Sequence, residues 1–432
     1  MTQPGRGPRE LLAESFRVAV NAADPLKVLP RCLPKPPKGR TFVAGAGKAA
    51  ASMALAVEQH WPAGAPLEGL VVTRYRHGLL TSRIKVLEAG HPVPDQAGEQ
   101  ATREIVRRVR SLGPDDLLLA LVSGGGSALL SLPAGELSSE AVRETTRQLL
   151  LCGAPIQDIN VVRKHLSSVQ GGRLAAACRA PVLALIVSDV TGDDPTHVAS
   201  GPCAPDPSTY ADALDILRNY AVSAVPAVIE HLQRGARGEI AETPKPGEQL
   251  FSRVENRVIA ASRGSLQAAA RFFRSRAIPV AVLGDSVTGE AQEAAKVYAA
   301  LVRQILAYGE PWKPPIALLS GGELTVTVRG KGKGGRCSTF LLALGIELER
   351  LGPMNAAVHA IACDTDGIDG TEDNAGALLA PDSIARGDAL GLSAPRHLFD
   401  NDSYTFFERL SDLVVTGPTR TNVNDYRAIL IA

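Results

Sequence analysis

Neither sign of charge prevails in this chain: 46 lysines and arginines stand against 45 acidic residues, a formal net charge of +1 over 432 residues. Without a global field, attraction to nucleic acid or to an anionic membrane has no electrostatic basis, and any anion must be held locally. Aromatic residues make up only 4%, which leaves few stacking platforms for single-stranded nucleic acid. Cysteines stand singly at Cys32, Cys152, Cys178, Cys203, Cys337 and Cys363, with no C-x-x-C pair and none of the density of a disulfide scaffold. That usage fits a reducing cytoplasm, the expected location. The start MTQPGRGPRE has no apolar segment of an export signal, and ELLAESFRVAVNAADP behind it has the spacing of an amphipathic helix. The longest uncharged stretch, residues 117–135, contains three consecutive glycines and Pro133. A spanning helix could not carry them cheaply, so the stretch is expected to be a buried strand feeding a turn.

What the chain does have is apolar material, 45% of its residues, enough for the two or three domains its length suggests and too much for a disordered or fibrous protein. Short aliphatic runs alternate with alanine-rich helical patterns, which predicts an α/β fold on mostly parallel sheets. The predicted strands are TFVAGAG, GLVVTR, DLLLALVS, PVLALIVSD, PVAVLGD, PIALLSGG and AAVHAIACD. Most end in Gly, Ser or Asp, and ligands of open α/β sheets gather at such carboxyl ends. ELTVTVRG alternates instead, as a half-exposed antiparallel strand does, so a mixed sheet is expected in the C-terminal half. Residues 234–257 are polar, hold two prolines and lack periodicity. The expected division is 1–245 and 246–432. No repeat of solenoid length is present.

Gly45, Gly47 and Ala50 fit G-x-G-x-x-A after a predicted strand, the turn in which a pyrophosphate meets a helix N-terminus. The next strand ends in Thr73-Arg74 rather than an acidic residue, which argues against NAD without excluding NADP. Lys48 inside this turn suits phosphate or carboxylate; a solvated lysine on a tight turn is the plain alternative. A Walker A loop is absent, since Ala49 follows Lys48. Ser123, Gly124, Gly125, Gly126 and Ser127 form a second turn whose amides and hydroxyls can cradle an anion. No G-x-S-x-G elbow or partnered histidine supports a serine nucleophile there.

Arg163, Lys164, His165 and Arg173 surround Gly171-Gly172 and suggest an anionic substrate, against the alternative of a solvated helix face. His165 itself is expected to be structural, because no zinc-ligand spacing accompanies it. Asp189 ends a strand, with Asp193 and Asp194 close behind; Asp189 can hold Mg²⁺ or act as a base, while the other two equally suit N-caps. The acids of DTDGIDGTED fail the EF-hand pattern at Ile368. Gly321, Gly322 and Glu323 end another strand, and Lys331, Lys333 and Arg336 lie among glycines in a loop that could close over phosphates. Thr416, Thr419, Thr421, Asn422 and Asn424 could orient a hydroxylated substrate or satisfy a turn.

In order along the chain, AGAGKAAASMA, VSGGGSALL, NVVRKHLSSVQGGRLA, SDVTGDDPTHVASGP, LSGGELTVTVRGKGKGGR, DTDGIDG, NDSYTFF and TGPTRTNVND resemble the class II glycerate kinases with a C-terminal MOFRL domain. The resemblance runs from about residue 10 to the end. It implies an N-terminal Rossmann-like domain, a smaller MOFRL-like α/β domain and a cleft between them. It also implies ATP-dependent phosphorylation of D-glycerate with Mg²⁺, usually giving 2-phosphoglycerate in the bacterial type, and it places Lys48 and Arg336 at positions associated with catalysis. Gly45, Gly47, the Ser123–Ser127 turn, Arg163, Lys164, Gly321, Gly322, Glu323, Asp366 and Asn424 are the expected binding residues, and Asp189 the expected metal ligand. Two departures stand out: Cys337-Ser338-Thr339 follows Arg336 where Asn and an acidic residue or Gln are usual, and Arg420 replaces a usual Gly. Alternatives are an NADP-dependent hydroxypyruvate reductase, transfer to O3, or a non-catalytic sensor of sugar acids or nucleotides. Oligomeric state, monomer or homodimer, is open.

Overall fold

Every residue of Thr41–Ala46 (β1), Leu117–Ser123 (β4) and Val182–Val187 (β5) is buried, the fate of continuous apolar runs in a sheet covered on both faces. With Leu67–Arg74 (β2), Ile84–Ala89 (β3) and Val254–Ala260 (β6) they form one sheet of order β3-β2-β1-β4-β5-β6. The pairings from β3 through β5 are parallel. This is the doubly wound order, in which the chain reverses direction across the sheet beside β1 and opens a crevice at the carboxyl ends of β1 and β4. The computed structural model describes residues 7–350, 352 and 357–432. The first six residues, part of the start expected to carry no export signal, and Ala356 at the head of AAVHAIACD lie outside the described residues.

A second sheet contains Val280–Gly284 (β7), Ile316–Ser320 (β9), Val358–Asp364 (β11), Gly376–Leu379 (β12), Leu413–Val414 (β13) and Asp425–Ile431 (β14), in the order β13-β12-β11-β14-β9-β7. Only β7 and β9 pair in parallel; the others are antiparallel. Alternate residues of its strands serve opposite cores. Leu318, Ala360, Ala362 and Ile429 pack with helices Ala291–Tyr308 and Arg336–Glu349, while Leu319, Ile361, Cys363 and Ala428 pack with helices Pro8–Ala22 and Ser262–Arg274. The period of two thus makes three layers.

A mixed sheet in the C-terminal half was expected, but it arises differently. In ELTVTVRG only Leu324–Thr325 (β10) is strand, and it pairs in parallel with Gly289–Glu290 (β8). Side chains rather than a ladder take the following backbone: Glu290 accepts from Thr327 N, Asn401 Oδ1 from Arg329 N and Gly330 N, and Asp402 Oδ1 from Lys333 N. These bonds also staple the glycine-rich basic segment that was expected to swing over phosphates.

The chain divides into Pro25–Ile259 and a second unit made of Ala260–Ala432 with the described residues up to Asp24. Both differences from the division at 245/246 have a packing cause. Residues 246–259 feed β6 and put Leu250, Val254 and Val258 against the first core. Leu12, Phe16 and Ala19 of the first helix are buried with Leu266, Phe272 and Phe273. Helices Ser139–Leu151, Ile156–His165, Tyr210–Asn219 and Pro226–Ala236 add a satellite core around Leu149, Ile159, Val162 and Tyr210 in the first unit. Among the described residues no helix is long and apolar enough to cross a membrane.

The approach of β1 to β4 tolerates no side chain at Gly45, where a Cβ would lie 1.9 Å from the Leu121 carbonyl oxygen. Backbone cannot give way as a side-chain tip can. Gly45→Ala is expected to destabilise the protein by about 1–3 kcal/mol through overpacking, read as a lower urea midpoint at unchanged slope; an unaltered midpoint would contradict this packing.

Candidate active site

In the first unit, chemistry-bearing side chains gather where β1, β2 and β4 end. The turn after β1 is closed by the protein itself. Gly47 N donates to Val72 O, Lys48 N to Gly124 O, Ala49 N to Ser123 Oγ, and Ala50 N to Gly47 O. Ser123, expected to bind a ligand, instead ties two turns together. Gly45 serves strand packing, and the amides that a dinucleotide pyrophosphate would need at Gly47 and its neighbours are already engaged. The anion-binding capacity expected of this turn therefore rests on the half-buried Lys48 side chain.

Gly124, Gly125 and Gly126 lead from β4 into the short helix Gly126–Leu129. Gly125 has φ 78, and a Cβ there would lie 2.8 Å from His91 Nε2 and 3.4 Å from Lys48 Cγ. Glycine is thus required both by the left-handed backbone and by the two side chains that close over it. Ser127 Oγ and Ser200 Oγ are 2.8 Å apart, and Ser200 Oγ donates to Asn160 Oδ1 at 3.2 Å. Burial first, and then the charges of Lys48, Arg74, His77 and Arg163, push the His91 imidazole down to about 3. Burial alone lowers the Arg163 guanidinium to about 10, still charged at neutral pH. A patch of cations around a neutral imidazole has collected here in a chain of net charge +1.

The neighbours of Arg163 in sequence point elsewhere. Lys164, an expected binding residue, is buried with its Nζ 3.3 Å from Asp206 Oδ1. That buried partner consumes its charge inside the unit, so Lys164 does not join the cation patch. Arg173 donates to Lys164 O and Tyr210 Oη. His165 is a hydrogen-bonded structural residue as expected, between Val161 O and Glu242. Asp189 is half-buried just beyond β5, and Asp194 Oδ1 accepts from Thr196 N in a local turn. Among the described residues no group of three or more His, Cys, Asp or Glu is arranged to hold a metal ion.

In the second unit Arg336 opens helix Arg336–Glu349. Its Nε donates to Asp425 Oδ1 at 2.7 Å and its Nη2 to Asp364 Oδ2 at 2.6 Å, with Glu323 Oε1 at 3.6 Å. Burial works against its charge, but Asp425, Asp364 and Glu323 outweigh burial and hold it well above the ordinary arginine value. Asp369 caps this helix, accepting from Cys337 N, Ser338 N and Ser338 Oγ; its burial nevertheless pushes its carboxyl up. Asp366 N donates to Asp364 Oδ1, and Asp366 Oδ1 accepts from Ile368 N, so this expected ligand shapes its own loop. Asn424 has φ 66 and accepts from Thr365 through its carbonyl. Gly321 N donates to Gly284 O, and Gly322 O accepts from Asp425 N. Arg420 has φ 59, a left-handed backbone that favours glycine at this position.

His91 lies just past the carboxyl end of β3, whose sequence IKVLEA breaks its apolar residues with Lys85 and Glu88 and so lacks the continuous run that marks the predicted strands. Its depressed value has a consequence. The unfolded chain takes a proton below the ordinary 6.5, while the folded state resists it, so this contribution to stability is complete above that pH and lost as pH falls toward 3. Lowering the pH from about 7.5 to 5 is expected to cost the wild type more stability than His91→Gln, measured by urea unfolding at both pH values; equal losses would refute the buried neutral state.

Two known modules are recognisable along the chain. Residues 11–233 match a domain of unknown function, DUF4147, and residues 316–425 match the MOFRL family. A protein of Agrobacterium vitis provisionally named hydroxypyruvate reductase is 46% identical over 98% of this chain and 94% of its own length. A D-glycerate 2-kinase of Thermotoga maritima is 36% identical over 96% of this chain and 97% of its own. The crystal structure of a glycerate kinase from Thermotoga maritima superposes with a TM-score of 0.85 at 34% identity, covering 98% of this chain and 99% of that one. With both modules matched in order and relatives aligned over nearly the whole length, the chain belongs to the class II glycerate kinase family of enzymes.

Proposed function

We propose that this protein transfers the γ-phosphoryl group of ATP to O2 of D-glycerate, giving 2-phosphoglycerate and ADP. The observation that carries this reading is the patch of Lys48, Arg74 and Arg163 around neutral His91 and the Gly124–Gly126 turn. It is the first unit's means of holding a polyanion, and it lies at the ends of β1, β2 and β4. Phosphoryl transfer asks a protein mainly for positioning and charge neutralisation. In this reading Lys48 and Arg163, with the Gly124–Ser127 turn, face phosphate or carboxylate oxygens in the first unit, and Arg336 is the second unit's candidate for neutralising charge on the transferring group. Gly321, Gly322, Glu323, Asp366 and Asn424 are the binding residues we assign in the second unit.

Asp189 is the carboxylate we assign to Mg²⁺ or to the substrate hydroxyl proton. A half-buried carboxylate just beyond a strand end suits Mg²⁺, which keeps waters and takes most of its remaining ligands from substrate phosphates; bound there, the ion would neutralise phosphate charge. Six free thiols fit the reducing cytoplasm we assign as its location.

A second reading, an NADP-dependent hydroxypyruvate reductase, is favoured by Arg74 at the end of β2 and by the name of the Agrobacterium relative. Against it, the fingerprint amides are spent within the protein. With ATP, Mg²⁺ and D-glycerate, ADP release and a phosphorus NMR signal of 2-phosphoglycerate are expected. Formation of 3-phosphoglycerate would reject O2, and oxidation of NADPH by hydroxypyruvate without ADP release would reject the kinase. Lys48→Ala and Arg336→Ala are each expected to lower turnover at least about 10²-fold with the fold retained; wild-type rates would remove those roles.

A further inference from the structure

We infer that Asp425, assisted by Asp364, is a positioning residue that presents the guanidinium of Arg336 to the transferring group, an inference resting on the role just proposed for Arg336. Asp425 is the first residue of β14 and its side chain is fully buried. One oxygen, Oδ1, accepts from Arg336 Nε at 2.7 Å; the other, Oδ2, accepts from Arg427 Nη1 at 2.9 Å and from Leu324 N at 3.3 Å. Arg427 is buried as well, and reaches Ser320 Oγ at 3.3 Å and the Gly321 carbonyl. Asp425 also ties the Gly321–Gly322 turn by donating its own N–H to Gly322 O. The carboxylate is thereby fixed by β9, β10 and β14 before it meets Arg336.

Asp364 approaches the guanidinium from the end of β11, taking Nη2 at 2.6 Å. The two acids therefore grip Arg336 along one edge, through Nε and Nη2. Among the described residues no hydrogen bond engages Nη1, and the Arg336 side chain keeps 20% of its exposure while Asp364 and Asp425 keep 2% and 0%. A buried carboxylate pair that grips one edge of a partly exposed cation does more than neutralise it. It removes rotamer freedom from a long side chain in advance, so an anion meeting the remaining edge meets a preorganised fork. Glu323, more than half exposed and at 3.6 Å, lies beyond hydrogen-bond distance of the guanidinium.

The test is a double-mutant cycle on the full-length protein, with ATP, Mg²⁺ and D-glycerate, combining Asp425→Asn and Arg336→Ala. Asp425→Asn alone is expected to lower kcat about 10- to 10²-fold with both KM values within about 2-fold of wild type, because misplacing a group that acts in the transition state costs turnover rather than ground-state binding. Added to Arg336→Ala, it is expected to change kcat less than about 2-fold, since the residue it positions is already gone. If Arg336→Ala alone leaves turnover intact, the role of Arg336 fails and this inference with it. If Arg336→Ala is damaging but Asp425→Asn is silent, or multiplies the loss in the double variant as a purely structural lesion would, the inference falls and Arg336 keeps its role. Circular dichroism checks folding; should loss of the Arg427 pair unfold Asp425→Asn, Asp364→Asn, which spares that pair, is read in the same cycle by the same criteria.

Discussion

Sheets that pack helices on their faces confine polar chemistry to strand ends and the loops beyond them. In the first unit β1, β4 and β5 have no exposed residue, and in the second the alternate residues of β9, β11 and β14 are claimed by two different cores. A buried charge there would have to be paired or discharged. The functional candidates accordingly lie where the strands stop: Lys48 after β1, Arg74 ending β2, His91 after β3, the glycine turn after β4, Asp189 after β5, Glu323 after β9 and Asp364 ending β11.

The two units manage their cations by opposite means. In the first, Lys48, Arg74 and Arg163 act on a histidine that burial and their own fields keep neutral, so the patch gathers positive potential without adding another proton. In the second, Arg336 is surrounded by acids that stabilise its charge and fix its geometry. Like charges gathered in one place raise the local potential, whereas a cation held between carboxylates is fixed in direction.

Glycine illustrates how one residue type answers unrelated demands. Gly45 admits a neighbouring backbone, whereas Gly125 admits His91 and Lys48 over a left-handed turn. The fingerprint of Gly45, Gly47 and Ala50 is legible as a string, yet its usual meaning does not follow, because Ser123, Val72 and Gly124 consume the turn's amides. Hydrogen-bond satisfaction is a property of the assembled fold, and a motif cannot report it.

The long aliphatic runs determined most of the architecture by themselves: β1, β2, β4, β5, β7, β9 and β11 lie where continuous apolar stretches end in Gly, Ser, Asp or Arg, since only a sheet covered on both faces can bury such runs. The ordered motifs also determined the family. Tertiary structure decided the rest. It withdrew Lys164 into a pair with Asp206, fixed the basic loop with Asn401 and Asp402, placed His91 over Gly125, and gave Arg336 its carboxylate grip from residues 28 and 89 positions away. Such partners are chosen by which strand ends the topology brings side by side, and local sequence carries no record of that.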